Sequence, residues 1–155
     1  FVKICIVRHG SAVVGSLDDQ HRGLTDKGRH QAQAAGGWLA EQEWQNPQIW
    51  VSPYYRAQQT AALISESMPL DMENHASLIP SSDVTPIVDE LIERDGDVIL
   101  VSHLPLVGRL AAYLVEGQVF DQPWSPAECW VLSGDIAGPG CLSVESVWYP
   151  VLEGL

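Results

Sequence analysis

Basic side chains are scarce in this sequence. Only 8 lysines and arginines stand against 20 aspartates and glutamates, which gives a formal net charge of −12. A surface of that sign repels nucleic acid and anionic membranes, so we expect neither as a partner. No apolar run approaches the roughly 20 residues of a membrane-spanning helix, and the short N-terminal apolar segment lacks the organisation of a signal peptide. A cytoplasmic protein is therefore the expectation.

Cysteine is also rare, with 3 residues and no C-x-x-C spacing. An odd set of this kind supports neither a disulfide framework nor a zinc site, and Cys5 lies in an apolar run as a small core residue. His21, His30 and His75 are scattered without ligand spacing, and we expect them to be ordinary surface histidines. No metal and no other cofactor is expected.

The chain has 155 residues, and 46% of them are hydrophobic. No repeat, low-complexity tract or linker interrupts it, so we expect a single domain over residues 1–155. Apolar strand-like runs alternate with amphipathic segments, which predicts an α/β fold with a largely parallel sheet. The predicted strands cover residues 2–7, 48–51, 71–76, 97–101, 129–133 and 141–149.

Four helices are predicted between these strands. The first begins at an N-cap on Thr25 or Asp26 and ends before Asn46-Pro47, and the others cover about 54–68, 84–94 and 104–117. In the first helix Ala32, Ala35 and Leu39 form the inward side, with Gln31 mostly on the other side. Gly36 and Gly37 lower helix stability and indicate close packing against a neighbouring element.

The apolar run of the first strand leads directly into Arg8, His9 and Gly10. A continuous apolar run that ends in polar residues is typical of a buried parallel strand. The carboxyl ends of such strands form the crevice in which α/β proteins bind ligands. An arginine beside a histidine would be costly to desolvate there unless an anion neutralised the pair.

Two further strands end in polar or basic groups. Ser52 and Arg56 follow the strand at 48–51, and His103 follows the strand at 97–101. Because the carboxyl ends of parallel strands share one edge of a sheet, we expect these groups to converge with Arg8 and His9. Arginine forks and helix N-termini both bind anions, so the set predicts a phosphate pocket.

Together these segments resemble the histidine phosphatase superfamily, which has the phosphoglycerate mutase-like fold. The resemblance rests on Val7-Arg8-His9-Gly10, on Ser52-Pro53-Tyr54-Tyr55-Arg56-Ala57-Gln58-Gln59-Thr60 and on Val101-Ser102-His103. The helix start Leu24-Thr25-Asp26-Lys27-Gly28 and the run Ser102-His103-Leu104-Pro105-Leu106-Val107-Gly108 are most similar to SixA-type phosphohistidine phosphatases. The resemblance implies a three-layer α/β sandwich, and it is weakest from Val119 to Leu155.

The resemblance also implies a mechanism that agrees with the chemistry of the residues. His9 would attack phosphorus as a neutral imidazole and become a transient phosphohistidine. Arg8 and Arg56 would clamp the phosphoryl oxygens, and His103 would donate a further hydrogen bond in the transition state. Arg22, in the loop after the first strand, could close over the phosphate or could be a solvated loop charge.

The expected substrate follows from a departure from the superfamily pattern. Phosphomonoesterases and mutases of this fold carry a carboxylic acid, which protonates the leaving alkoxide, in the loop that corresponds to residues 78–83. Asp83 is the only carboxylate in that loop, and it is also placed to cap the next helix. An imidazole leaves without such an acid because it is protonated near neutral pH. The resemblance therefore implies a phosphohistidine-bearing partner, a phosphotransfer domain or a phosphocarrier protein, and a role in signal transduction.

Two alternatives remain open at this point. A small-molecule phosphomonoesterase of the same fold would use Asp83 as its proton donor. A non-catalytic phosphate-binding module would keep Arg8 and Arg56 but would have no use for His9 as a nucleophile.

Overall fold

The computed structural model describes residues 1–15 and 18–150. The strands are β1 (Val2–Arg8), β2 (Gln48–Val51), β3 (Met72–Asn74), β4 (Val98–Ser102), β5 (Cys129–Gly134) and β6 (Ser143–Trp148). The helices are α1 (Asp26–Ala40), α2 (Tyr55–Ser67), α3 (Val84–Glu93) and α4 (Leu106–Glu116), with single 3-10 turns at Asp19–His21 and Ala76–Leu78. Residues 16–17 and 151–155 belong to the predicted domain but lie outside the described residues.

The strands form one sheet in the order β3-β2-β4-β1-β5-β6. Neighbours from β3 to β1 are parallel, whereas β5 and β6 are antiparallel to the strands beside them. One buried cluster joins the sheet to α3 and α4, and a second joins its other face to α1 and α2. The predicted three-layer α/β sandwich with a largely parallel sheet is therefore confirmed.

Strand β1 shows why its sequence is apolar without alternation. Ile4 and Ile6 pack in the cluster of α3 and α4, and Cys5 and Val7 pack in the cluster of α1 and α2. All four side chains are 0% exposed. A strand covered on both faces has no solvent side for polar residues, and each large aliphatic side chain buried in this way contributes about 1.5–3 kcal/mol. The burial fixes the end of β1 at the centre of the sheet.

Helix α1 departs from the prediction at two positions. Gln31 was predicted to be exposed but is buried, because its Oε1 accepts a hydrogen bond at 2.8 Å from the backbone N–H of Ser11 in the loop after β1. Close packing is confirmed at Gly36, where an added Cβ would lie 2.9 Å from Ile64 Cα of α2. It is wrong for Gly37, whose Cβ would have no atom of the described residues within 4 Å. Of these two glycines, Gly36 is therefore the one that allows the close approach of α1 and α2.

Substitution of these two glycines separates packing from helix propensity. Gly36→Ala is expected to lower the free energy of unfolding by about 1–3 kcal/mol, because the added methyl group overpacks the contact with α2. Gly37→Ala is the matched control and is expected to raise it by up to about 1 kcal/mol, since alanine is the better helix former. Urea denaturation of both variants measures the difference. Equal effects of the two substitutions would contradict the packing described for Gly36.

Helix starts were predicted with mixed success. Thr25 caps α1, since its Oγ1 accepts a hydrogen bond at 3.0 Å from the N–H of Gly28. Asp83 occupies the predicted N-cap position of α3, but its side chain makes no capping hydrogen bond among the described residues. In the described part of the chain, no helix is both long and apolar enough to cross a membrane.

Candidate active site

The predicted site residues meet at one edge of the sheet. Arg8 ends β1 and pairs in register with Ser102, the last residue of β4, so His9 and His103 leave neighbouring strand ends. Arg56 is the second residue of α2, which begins shortly after β2 ends. The rings of His9 and His103 lie with their centroids 5.0 Å apart. Parallel pairing of β1, β4 and β2 is what places these groups together.

His9 is oriented by two hydrogen bonds. Its Nδ1 lies 2.7 Å from the carbonyl oxygen of Gly10, and its Nε2 accepts from Arg56 Nε at 3.2 Å. Because a guanidinium only donates, Nε2 must carry the lone pair and Nδ1 the proton. Burial lowers the pKa of His9 to about 4; the Gly10 carbonyl opposes this shift, and the charges of Arg56 and Arg8 add to it. His9 is therefore a neutral imidazole at neutral pH, with its lone pair on Nε2.

Arg56 is the most buried of the arginines placed at the site, with 3% of its surface exposed. While Nε contacts His9, Nη1 donates to the backbone carbonyl of Asp19 at 2.6 Å and Nη2 to Asp19 Oδ2 at 3.2 Å. The guanidinium carbon also lies 5.2 Å from the centre of the Tyr54 ring. Three nitrogens of one planar group thus have fixed directions, a geometry that lysine lacks.

His103 is held by Ser52. Its Nε2 lies 2.7 Å from Ser52 Oγ, which also accepts a hydrogen bond at 3.2 Å from the N–H of Tyr54. Ser52 therefore both fixes His103 and caps the turn before α2. Nδ1 of His103 is buried without a hydrogen-bond partner among the described residues. Burial, with the nearby His9 and Arg56, lowers the pKa of His103 to about 2, so the ring is neutral in the absence of an anion.

Arg8 is held by the segment that precedes β5. Its Nη1 donates to the carbonyl of Trp124 at 2.7 Å, and its Nε is buried without a hydrogen-bond partner among the described residues. Burial lowers the pKa of Arg8, although the charge of Glu128 opposes this. The Glu128 carboxylate is fixed in turn by the N–H of Ser125 at 2.8 Å and Nε1 of Trp130 at 2.6 Å. No sequence pattern indicated that this segment supports Arg8.

Arg22 does not contact His9 but is joined to the site through Asp19. Its Nε and Nη2 donate to Asp19 Oδ1 at 3.0 and 2.9 Å, and its Nη1 donates to the carbonyl of Val13 at 2.9 Å. Asp19 therefore links Arg22 to Arg56. Asp19 was not predicted; the available signal was its spacing of three residues before Arg22, which allows a pair across one turn.

Asp83 lies in a different place. It lines a surface depression with Arg109 and Val119, and Arg109 forms an ion pair with Asp121 at 2.6 Å. The Asp121 hydrogen bond and charge raise the pKa of Arg109, and Asp83 adds to the same effect. Among the described residues Asp83 makes no hydrogen bond to the groups around His9. The geometry gives no support to Asp83 as a proton donor.

The remaining histidines differ from one another. His21 and His30 are exposed, as expected. His75 is not an ordinary surface residue, because its ring stacks on Trp50 at 4.1 Å and contacts Glu73 at 2.6 Å and Glu90 at 2.9 Å. Over the residues that the structure describes, no group of three or more histidine, cysteine, aspartate or glutamate side chains is placed to hold a metal ion.

The low pKa of His9 has a consequence for stability. In the folded protein the His9 imidazole is protonated less readily than in the unfolded chain, since folding lowers its pKa from 6.5 to about 4. The contribution of this pKa difference to the free energy of unfolding is present above pH 6.5 and is lost as the pH falls towards 4. At 1.36 kcal/mol per pKa unit this amounts to about 3 kcal/mol. Urea denaturation over this range should show a shallower acid loss in His9→Ala than in the wild type. An unchanged slope would contradict the lowered pKa, and the exposed His30→Ala serves as control.

These features define a class of protein: an α/β sandwich with a neutral histidine, the buried Arg56 and the half-buried Arg8 at the carboxyl edge of its sheet. A sequence model of the histidine phosphatase superfamily (branch 1) matches residues 4–79. The phosphohistidine phosphatase SixA of Escherichia coli K12 is 32% identical over 123 residues, which cover 76% of each chain. The chain belongs to the histidine phosphatase superfamily.

Within that superfamily the similarity to SixA proteins extends over most of the molecule. A SixA homolog of Haemophilus influenzae is 35% identical over 126 residues, covering 73% of this chain and 77% of the relative. The structure of the protein histidine phosphatase SixA complexed with tungstate superposes with a TM-score of 0.86 at 27% identity, covering 97% of this chain and 99% of that one. The predicted resemblance is therefore confirmed.

Proposed function

We propose that this protein is a phosphohistidine phosphatase, which removes phosphate from a phosphohistidine-bearing protein through a phosphohistidine intermediate on His9. The observation that carries the proposal is the pairing of a neutral His9, whose Nε2 has the lone pair, with the buried guanidinium of Arg56 at 3.2 Å. Similarity to the SixA phosphohistidine phosphatase of Escherichia coli supports the choice of substrate.

The first step is transfer of the phosphoryl group to His9. A phosphoryl oxygen takes the N–H of Arg56 Nε that otherwise contacts His9, which frees the lone pair of Nε2 for in-line attack. The bond between phosphorus and Nε2 forms as the bond to the substrate nitrogen breaks, and its electron pair returns to the substrate ring. The Gly10 carbonyl accepts a hydrogen bond from Nδ1–H of His9. This bond stabilises the positive charge that develops on the His9 ring.

The second step is hydrolysis of the phosphoenzyme. Water attacks phosphorus and Nε2 departs with the electron pair, while Nδ1 keeps its proton throughout. The leaving group is then the same neutral imidazole as in the resting enzyme, so this step needs no separate acid. We propose that Arg8, Arg56 and His103 hold the phosphoryl oxygens in both steps, because these donors are already fixed by the protein. Arg22 is proposed as a substrate-binding residue that acts beside Asp19.

The proposed partner is a phosphotransfer domain or phosphocarrier protein, which would place the enzyme in signal transduction in the cytoplasm. The geometry of the pocket favours such a substrate over an ester, because Asp83 lies beside Arg109 and not beside His9.

A comparison of two substrates tests this function. Initial rates are measured with a phosphohistidine-bearing phosphocarrier protein and with the alkyl ester O-phosphoserine. We expect kcat/KM for the phosphohistidine protein to exceed that for the ester by at least about 100-fold, since the imidazole leaves without an acid and the alkoxide does not. Preference for the ester would contradict the proposed function and would support a phosphomonoesterase.

A further inference from the structure

We propose that Asp19 selects the phosphohistidine leaving group, by accepting a hydrogen bond from the N–H of the substrate imidazole at the mouth of the pocket. The proposal rests on the proposed function and names the residue that gives it specificity. Asp19 thereby becomes a contact for the leaving group in addition to a link between Arg22 and Arg56.

The position of Asp19 follows from the guanidinium of Arg56. Nε of this group contacts His9 Nε2 at 3.2 Å, and Nη2 contacts Asp19 Oδ2, also at 3.2 Å. The nucleophile and the carboxylate are therefore bound by different nitrogens of one planar group. In-line transfer places the leaving atom across phosphorus from the nucleophile. In the proposed complex the leaving ring emerges away from His9, on the side from which Asp19 can contact it.

Solvent exposure also indicates that the substrate approaches His9 past Asp19. His9 is 8% exposed, whereas the side chain of Asp19 is 57% exposed. A substrate side chain has to enter from solvent, so it meets Asp19 before its phosphoryl group reaches His9. The carboxylate is nevertheless fixed, because Arg22 donates two hydrogen bonds to Oδ1 and Arg56 binds Oδ2.

The charge of Asp19 suits it to accept and not to donate. Partial burial raises the pKa of Asp19, but the hydrogen bonds from Arg22 and Arg56 outweigh this and lower the pKa below its usual value. The side chain is therefore a carboxylate at neutral pH. It has no proton for an alkoxide, and it can accept the N–H of an imidazole ring.

The chemistry of the leaving group explains why such an acceptor accelerates the reaction. Phosphohistidine carries phosphorus on one ring nitrogen, and the other nitrogen is protonated in the form that leaves readily. A carboxylate beside that N–H favours the protonated ring. When the bond to phosphorus breaks, its electron pair stays on the first nitrogen and the proton stays on the second, so a neutral imidazole departs. No proton has to be transferred.

The Asp19 carboxylate has the opposite effect on the leaving group of a phosphate ester. Its leaving oxygen gains negative charge as the bond to phosphorus breaks, and the Asp19 carboxylate repels that charge. One side chain therefore favours a phosphohistidine and disfavours an ester, which is how specificity arises from attraction and repulsion together.

Asp19→Asn tests the proposal, because the amide is of nearly the same size and keeps one oxygen for Arg22, while Arg56 can still donate to the backbone carbonyl of residue 19. N-phosphoimidazole and the alkyl ester O-phosphoserine are the probes. We expect kcat/KM for N-phosphoimidazole to fall by about 10-fold or more, the loss of a charge-assisted hydrogen bond, while kcat/KM for the ester is unchanged or rises. Asp18→Asn is the matched control, since the Asp18 side chain is 85% exposed and its ion-pair contact is with His21 at 3.8 Å. It should change neither rate.

Each of the other possible kinetic results has a single interpretation. An equal loss for both substrates in Asp19→Asn would show that Asp19 only positions the arginines, and would overturn the proposal. Unchanged hydrolysis of N-phosphoimidazole would overturn it as well. If the wild type hydrolyses the ester faster than N-phosphoimidazole, both the proposed function and the role of Asp19 fail. A normal wild-type preference that persists in Asp19→Asn overturns the role of Asp19 alone.

Discussion

Replacement of His9 by alanine is expected to lower kcat for a phosphohistidine protein by a factor on the order of 10⁴ or more, since it removes the covalent nucleophile. Without Nε2 the remaining route is direct attack by water on the substrate, and water is a weaker nucleophile than imidazole. The alanine variant keeps Arg8, Arg56 and His103, so it should still bind inorganic phosphate. Steady-state turnover together with phosphate binding by calorimetry measures both properties.

His30→Ala is the control for this substitution, because His30 is an exposed histidine of α1. It should retain wild-type turnover. Turnover by His9→Ala within about tenfold of the wild type would contradict the mechanism, because a factor that small corresponds to only about 1.4 kcal/mol. A wild type that binds phosphate but shows no turnover would instead support the non-catalytic binding module.

Arg56→Lys is expected to lower kcat/KM by about 100- to 1,000-fold, although it conserves the charge. The guanidinium contacts His9 through Nε and Asp19 through Nη1 and Nη2. A single ammonium group cannot direct donors to the nucleophile, the phosphoryl oxygens and the loop at the same time. Burial increases the effect, because Arg56 is 3% exposed and water cannot compensate a misplaced cation there.

Arg29→Lys provides the matched control, since Arg29 is an exposed arginine of α1. It should leave kcat/KM unchanged. If Arg56→Lys retained near wild-type activity, the pocket would need only a positive charge, and the directional role given to Arg56 would be wrong. Thermal unfolding of both variants separates a loss of activity from a loss of stability.

The sequence predicts those parts of the fold that depend on continuous burial. Two strand segments are apolar at every position, Ile4 to Val7 and Val98 to Val101, because helices cover both faces of the sheet. Such runs can be recognised from the sequence alone. Once these strands are recognised as parallel neighbours, the convergence of His9, Arg56 and His103 follows from topology alone.

The parts that sequence missed depend on contacts without a periodic signal. Asp19 lies in a loop whose path across α2 is set by the hydrogen bonds of Arg56 to that loop. Ala127 has a φ of 58°, and its N–H lies 3.0 Å from the carbonyl oxygen of Arg8 and 3.2 Å from that of His9. A non-glycine residue with positive φ is uncommon, so nothing in its identity indicates that it supports the backbone of the active site.

The most direct test of the central claim is to follow the phosphoryl group during a single turnover. A phosphocarrier protein labelled with radioactive phosphate on histidine is mixed with excess enzyme and quenched in base, where phosphohistidine survives. We predict transient label on the wild-type enzyme, mapped by peptide analysis to His9, and none on His9→Ala. Release of phosphate without label ever appearing on the enzyme, or label on a residue other than His9, would contradict this account.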